Sequence, residues 1–306
     1  MHYALVFSTS NTTTGRGAAA DWLRPFSDAM AGFSPQQDAT WLANGAAAEI
    51  ICASSSQHTV DLAQSPAFGA LRKITDAAGI DVNLVPTNNR RKRLLLADMD
   101  STIITSESLD ELAELAGIGA KVTDITRRAM AGEIDFEAAL DERVAMLAGK
   151  PTALLDQMVA ASQLTRGAIT LVRTMRAQGA FCYLVSGGFD VLTKPIAATC
   201  GFHGHHANHL HLDANCLTGT VQKPVLDRHA KIDYLNHYCA LHGLDVQDSA
   251  AIGDGANDLG MLKTAGFGVA FDGKPILRQN INLQLNHTDL SGLLFLQGIH
   301  QDEFAA

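Results

Sequence analysis

Residues 94–105 read LLLADMDSTIIT. A short, wholly apolar run suits a strand buried on both faces of a parallel sheet. Carboxylates at its end need partners, because an ionised acid taken out of water is costly unless paired. Three further polar clusters follow: Ser186-Gly187-Gly188 in VSGGFD, Lys231 in HAKIDYL, and Asp254 to Asp258 in GDGANDLGML. Singly, each has an ordinary structural explanation. A DxD pair can cap a helix, SGG can be a tight turn, and a lone lysine is generally solvated. GDGAND has the look of a calcium loop, but the regular alternation and terminal glutamate of an EF-hand are missing. Together, at the ends of successive segments, they suit the transfer of a phosphoryl group.

A phosphate monoester is a dianion, so a carboxylate reaches its phosphorus only when that charge is offset. Mg²⁺ takes oxygen ligands and bridges to phosphate. Asp98 and Asp254 can supply two carboxylates to it, and Asp100 its main-chain carbonyl. Ser186, the Gly187 amide and Lys231 can hold the remaining phosphate oxygens, where charge spreads in the transition state. Asp98 is then free to attack and form an aspartyl-phosphate. Asp100 would protonate the leaving alkoxide and later deprotonate the attacking water. Asn257 and Asp258 would steady the metal's water shell, and Thr102 would fix the loop between the two acids.

Positioning these groups requires a fold that gathers strand ends. From Leu94 onward, the apolar runs LLLAD, AFCYLVSGG, SAAIGDG and FGVAFD alternate with segments of helical spacing such as GAITLVRTMRAQG and HAKIDYLNHYCALHG. This predicts an α/β domain over 94–306, a parallel sheet covered by helices, with ligands beyond the carboxyl ends of its strands. A helical insert over 106–164 is too long for a simple crossover and reads as a cap. HANHLHLDANCLTGTV (206–221) alternates around Asp213-Ala214-Asn215 as a β-hairpin would. Residues 1–85 form a separate small α/β or α+β unit. HYALVFS and DVNLVP read as strands, AAADWLRPFSDAM and FGALRKITDAAG as helices, and WLANGAAAEIICAS as two short strands around Asn44-Gly45. PTNNRRKR (86–93) reads as a polar, solvated linker.

Composition narrows the classes. The chain has 306 residues and a net charge of −9, which argues against nucleic acid as its main partner. No apolar run is long enough to cross a bilayer, and MHYALVFSTS lacks the features of a secretory signal. The five cysteines are scattered, never in CxxC spacing, which suits free thiols and a cytoplasmic setting. Five histidines lie between His203 and His211. A metal cluster is one reading, and a surface location is the favoured one.

DMDSTIIT, VSGGFD, HAKIDYL and GDGANDLGML together resemble the four motifs of the haloacid dehalogenase superfamily and, within it, the phosphoserine phosphatases. The resemblance runs from about Arg93 to about Leu294. It implies a Rossmann-like sheet, a helical cap, a Mg²⁺ requirement and the roles given above, and the second aspartate marks the phosphatase branch. Phosphoserine carries an ammonium and a carboxylate beside its phosphate, so its pocket needs an acid and an arginine. The family pattern matches SES and FEAALDERV, which implies that Glu107 faces the amine and Arg143 binds the carboxylate, bidentately as a lysine could not. Met130 and Phe136 fall where the pattern expects substrate contacts, as does Asn257. Their alternative is ordinary cap core or solvated helix surface. The implied reaction is hydrolysis of O-phospho-L-serine. Another small phosphate, or phosphotransfer to an alcohol such as homoserine, stays open within the same chemistry. The N-terminal unit resembles in position and rhythm the ACT-like domains that precede some members. A sensing or binding role and a dimerisation role are both open to it.

Overall fold

The computed structural model describes residues 2–10, 17–53, 62–130 and 133–305. Its first unit contains β1 (His2–Ser8), α1 (Ala19–Leu23), α2 (Ser27–Met30), β2 (Ser34–Pro35), β3 (Thr40–Ala43), β4 (Ala47–Ala53), α3 (Pro66–Ala77) and β5 (Asp81–Pro86). β1 lies between β4 and β5, antiparallel to both, and β4 carries β2 and β3 on its other edge. Disregarding the two-residue β2, this is a split β-α-β arrangement. α3 begins as its sequence dictates, with Ser65 capping the Phe68 amide and Pro66 in the first turn.

Alternation along β1 explains how this unit sits on the rest of the chain. Tyr3, Leu5 and Phe7 pack with Trp22, Phe26 and Phe68 in the unit's own core. Ala4 and Val6 face the other way and join a core that includes Leu290, Leu293 and Leu294. Both faces of the sheet are therefore covered, which is why β1 is apolar almost throughout.

The second unit is built on six parallel strands in the order β13-β12-β11-β6-β7-β8. After β6 (Leu94–Ala97) come four helices, α4 (Ser108–Leu115), α5 (Gly119–Met130), α6 (Phe136–Ala145) and α7 (Ala153–Ala161), over the segment expected to be a cap. α8 (Ala168–Ala177) leads to β7 (Phe181–Phe189), then α9 (Asp190–Cys200), β8 (Gly204–Asn208) and the hairpin β9 (Leu210–Asp213) and β10 (Cys216–Val221). α10 (Arg228–Leu241), β11 (Ser249–Gly253), α11 (Leu259–Thr264), β12 (Phe267–Phe271), α12 (Pro275–Asn280), β13 (Leu283–Leu285) and α13 (Gly292–Leu296) complete it. All four residues of β6 are fully buried in the centre of this sheet.

Two expectations require correction. The hairpin is shorter than 206–221: it turns at Ala214 and Asn215, both at positive φ, but residues 206–208 belong to the edge strand β8. Polar alternation suits an edge strand as well as a hairpin arm, so the pattern alone did not separate them. The stretch 86–93 is not a solvated linker. Arg90 pairs with Glu49 at 2.6 Å and donates to the Leu296 and Phe295 carbonyls. Lys92 is buried, donates to the Asn89 and Gln247 carbonyls, and lies over the Phe267 ring.

The same joint is reinforced from β5. The buried Asp81 carboxylate accepts hydrogen bonds from three consecutive amides, Asn286 (2.8 Å), His287 (3.0 Å) and Thr288 (2.9 Å), and from the Thr288 hydroxyl. Asn83 exchanges two bonds with the Gln284 backbone. Removing the Asp81 carboxylate leaves those amides without acceptors, each costing about 1–3 kcal/mol. Asp81→Ala is therefore expected to lower unfolding stability by at least about 2 kcal/mol in urea denaturation. A midpoint and slope equal to wild type would show that this joint does not hold the two units together.

Candidate active site

β6 ends at Ala97, and the Asp98 amide still donates to Ile252 of β11, so the first acid leaves the sheet in register with its neighbour. The chain then makes a tight turn in which Ser101 adopts φ +52°, turning Asp98 and Asp100 in different directions. Asp98 Oδ1 meets Lys231 Nζ at 2.7 Å, and the same ammonium meets Asp258 Oδ1 at 2.6 Å. Lys231 is 1% exposed. Its helix α10 is set by Asp227, whose carboxylate caps the His229 and Ala230 amides. Burial works against the lysine's charge, but Asp258 and Asp98 outweigh it and hold its pKa above the usual value.

Asp100 has different partners. Its Oδ1 accepts the Ser108 amide at 2.7 Å, at the start of α4, and its Oδ2 accepts the Ser186 hydroxyl at 3.1 Å. Burial pushes its pKa up to about 6, with Glu107 adding to the rise and hydrogen bonds from Ser108 and Ser186 opposing it. Such a carboxyl can exist in either protonation state near neutrality. Ser186 in turn accepts the Gly188 amide at 2.9 Å. A Cβ on Gly188 would lie 2.8 Å from Asp100 Oδ2, so the second glycine of SGG is a steric requirement of this packing.

At the end of β11, Asp254 lies with Thr102 Oγ1 3.4 Å from one oxygen and Lys274 Nζ 3.1 Å from the other. Asp258 accepts the Gly255 amide through Oδ2 and Lys231 through Oδ1, so both of its oxygens are engaged. It thus serves Lys231 and its own turn. Asn257 is half-buried, its Oδ1 against Gly255.

Asp98, Asp254 and Asp258 bring ligand oxygens within 4.8 Å of one another. Burial pushes the pKa of Asp98 well above the carboxylate range, the Asp258 charge adds to this, and Lys231 pulls it back. Burial likewise raises Asp254, with Lys274 opposing. Two of these buried acids share the buried Lys231 ammonium, and the third, Asp254, pairs with the more exposed Lys274. Hard oxygen donors in charge excess fit a divalent cation.

The cap closes over this cluster. Phe136, at the start of α6, has its ring edge 3.4 Å from where a Cβ on Gly187 would stand. Lys223, just after the hairpin, pairs with Glu137 and Asp141 of α6, both at 2.7 Å. Glu107 accepts the Ser101 hydroxyl at 3.0 Å and meets Lys274 at 3.3 Å. Arg143 is half-buried and donates to the Ala139 carbonyl; burial lowers its pKa, and the charges of Asp110 and Glu107 oppose that shift. Met130 closes α5, and its side chain lies outside the described residues. Lys274 and Asp110 were missed by sequence reasoning. Lys274 follows the end of β12 as the other polar clusters follow theirs, and that position was the available signal. The histidines between 203 and 211 do not converge: His205 bonds Thr193, His206 Tyr238, His209 Asp190 and His211 Thr220.

Residues 95–263 match the family model of the haloacid dehalogenase-like hydrolases. The chain is 40% identical over 217 residues to phosphoserine phosphatase SerB2 of Mycobacterium tuberculosis, covering 71% of this chain and 53% of that protein. It thus spans about half the length of that relative. It is 42% identical over 199 residues to the phosphoserine phosphatase of Streptococcus thermophilus, covering 65% of this chain and 93% of that one. A crystal structure of a haloacid dehalogenase family hydrolase from Salmonella enterica serovar Typhi superposes with a TM-score of 0.84 at 28% identity, over 96% of this chain and 98% of the other. No helix among the described residues is long and apolar enough to cross a membrane. The chain belongs to the haloacid dehalogenase-like hydrolases and, within them, to the phosphoserine phosphatase family.

Proposed function

We propose that this protein hydrolyses O-phospho-L-serine to L-serine and phosphate, the reaction that ends serine synthesis. The observation that carries the reading is the division of labour between two acids two residues apart: Asp98 lies 2.7 Å from a buried ammonium, while Asp100 is set between Ser108 and Ser186. Names borne by relatives at about 40% identity support the substrate.

Mg²⁺ would be held by the Asp98 and Asp254 carboxylates and the Asp100 main-chain carbonyl, and when bound it supplies positive charge that offsets the phosphate dianion. Asp98 attacks phosphorus, forming the aspartyl-phosphate as the bond to the serine oxygen breaks. Lys231 and the Gly187 amide carry the charge that spreads over the phosphoryl oxygens. Asp100, protonated, gives its proton to the departing alkoxide. It then takes one from the water that attacks the aspartyl-phosphate, returning Asp98 as a carboxylate and releasing phosphate. Glu107 receives the substrate ammonium and Arg143 its carboxylate, under the Phe136 ring. Asn257 lies beside the phosphate. The N-terminal unit is proposed to be an ACT-like domain through which a homodimer would form.

Phosphate release from a panel of small phosphomonoesters, with and without Mg²⁺, tests this directly. Phosphoserine should be preferred, chelation should abolish turnover, and Asp98→Asn should be inactive on every substrate. Strong hydrolysis by that variant would refute the nucleophile. Arg143→Ala is expected to raise KM for phosphoserine roughly 10-fold or more, since a charge-assisted bidentate pair is worth about 1.5–3 kcal/mol. It should barely change KM for phosphoethanolamine, which lacks the carboxylate. Equal losses on both would remove Arg143 from carboxylate recognition.

A further inference from the structure

β7 and β8 run in parallel register through Val185↔His206, then resume at Phe189↔Asn208. Three residues of β7, Ser186, Gly187 and Gly188, therefore face a single residue of β8. The surplus residues form a bulge, which is how SGG is displaced out of the strand toward the phosphate position. A bulge removes its carbonyls from the regular ladder, and a loop containing two glycines has little stiffness of its own. Something else must hold it.

Asn208 stands where the ladder resumes and is 3% exposed. Its Nδ2 donates to the Gly187 carbonyl at 2.8 Å, and its Oδ1 accepts the Leu226 amide at 2.7 Å. The peptide joining Gly187 to Gly188 is thus fixed at both ends: Asn208 holds its carbonyl and Ser186 Oγ holds its N–H. The second bond of Asn208 reaches the segment immediately before Asp227, which caps the helix carrying Lys231. One side-chain amide links the two elements that must close on the phosphate from different sides. Only a residue with a donor and an acceptor on a short stem can make both bonds. Aspartate lacks the donor and a hydroxyl lacks the reach.

We infer that Asn208 is a positioning residue for phosphoryl transfer, fixing the Gly187–Gly188 peptide that adjoins the Gly187 N–H, and the approach of Lys231, without touching the substrate. This rests on the phosphatase reading above. Asn208→Ala should lower kcat on phosphoserine roughly 10- to 100-fold, as loss of a supporting hydrogen bond behind a reactive group does. It should also weaken binding of inorganic phosphate, measured calorimetrically with Mg²⁺ present. The thermal shift induced by Mg²⁺ alone should remain, because the acid cluster is untouched. Asn208→Asp keeps the acceptor for Leu226 but not the donor for Gly187, and should not rescue kcat or phosphate binding. It also decides the matter if the alanine variant fails to fold. Wild-type kcat and phosphate affinity in a folded variant would overturn the inference. So would loss of the Mg²⁺ response together with phosphate binding, which would make the role merely structural. If the wild type hydrolysed no phosphomonoester, the functional reading would fail, while phosphate affinity would still judge Asn208.

Discussion

A lysine that is almost wholly buried must be paired on every side, because its ammonium loses several kcal/mol of hydration on leaving water. Lys231 meets this requirement by lying between Asp98 and Asp258, at 2.7 and 2.6 Å. Much of the catalytic unit follows from that triad. It ties the end of β6 to the turn after β11 and to the first turns of α10. It also demands a glycine at position 253, where a Cβ would stand 2.4 Å from the Asp258 carboxyl carbon. Removing Lys231 would leave two buried carboxylates without their shared counter-charge, so the arrangement is held by mutual necessity as much as by attraction.

The triad leaves the site with more acid than base, and that imbalance organises the rest. Asp254, close to the triad, borrows Lys274 from the loop after β12, and Lys274 also meets Glu107 between β6 and the cap. Asp100 has partners of its own, Ser108 and Ser186, so two acids separated by one residue sit in different surroundings. The cap adds an apolar ring and an arginine over a basin of carboxylates.

Much of this was legible in the sequence, and the reason is local. LLLAD, VSGG and GDGAND each place a strand and its functional terminus within a few consecutive residues, so period and composition alone located β6, β7 and β11 together with Asp98, Ser186 and Asp254. β1 was equally plain because YALVF is a continuous apolar run, and β5 because Val82, Leu84 and Val85 make a short apolar stretch closed by Pro86. What could not be read depends on partners distant in the chain. Arg90 and Lys92 sit in a basic string that looks solvated until Glu49, Leu296 and Gln247 are brought to it. Lys274 looks like a loop lysine until Asp254 is beside it, and Asn208 looks like part of a polar hairpin until β7 bulges against it. β13 is only three residues long, too short for any periodicity to register.

The central claim is that Asp98 carries the phosphoryl group covalently. Acid quenching during a single turnover of phosphoserine, followed by peptide mass mapping, tests it most directly. The account predicts a transient phosphoryl increment on Asp98, in the peptide containing LLLADMDSTIIT, that disappears as phosphate is released. Full turnover with no labelled carboxylate, or with the increment on Asp100 or Asp254 instead, would contradict it.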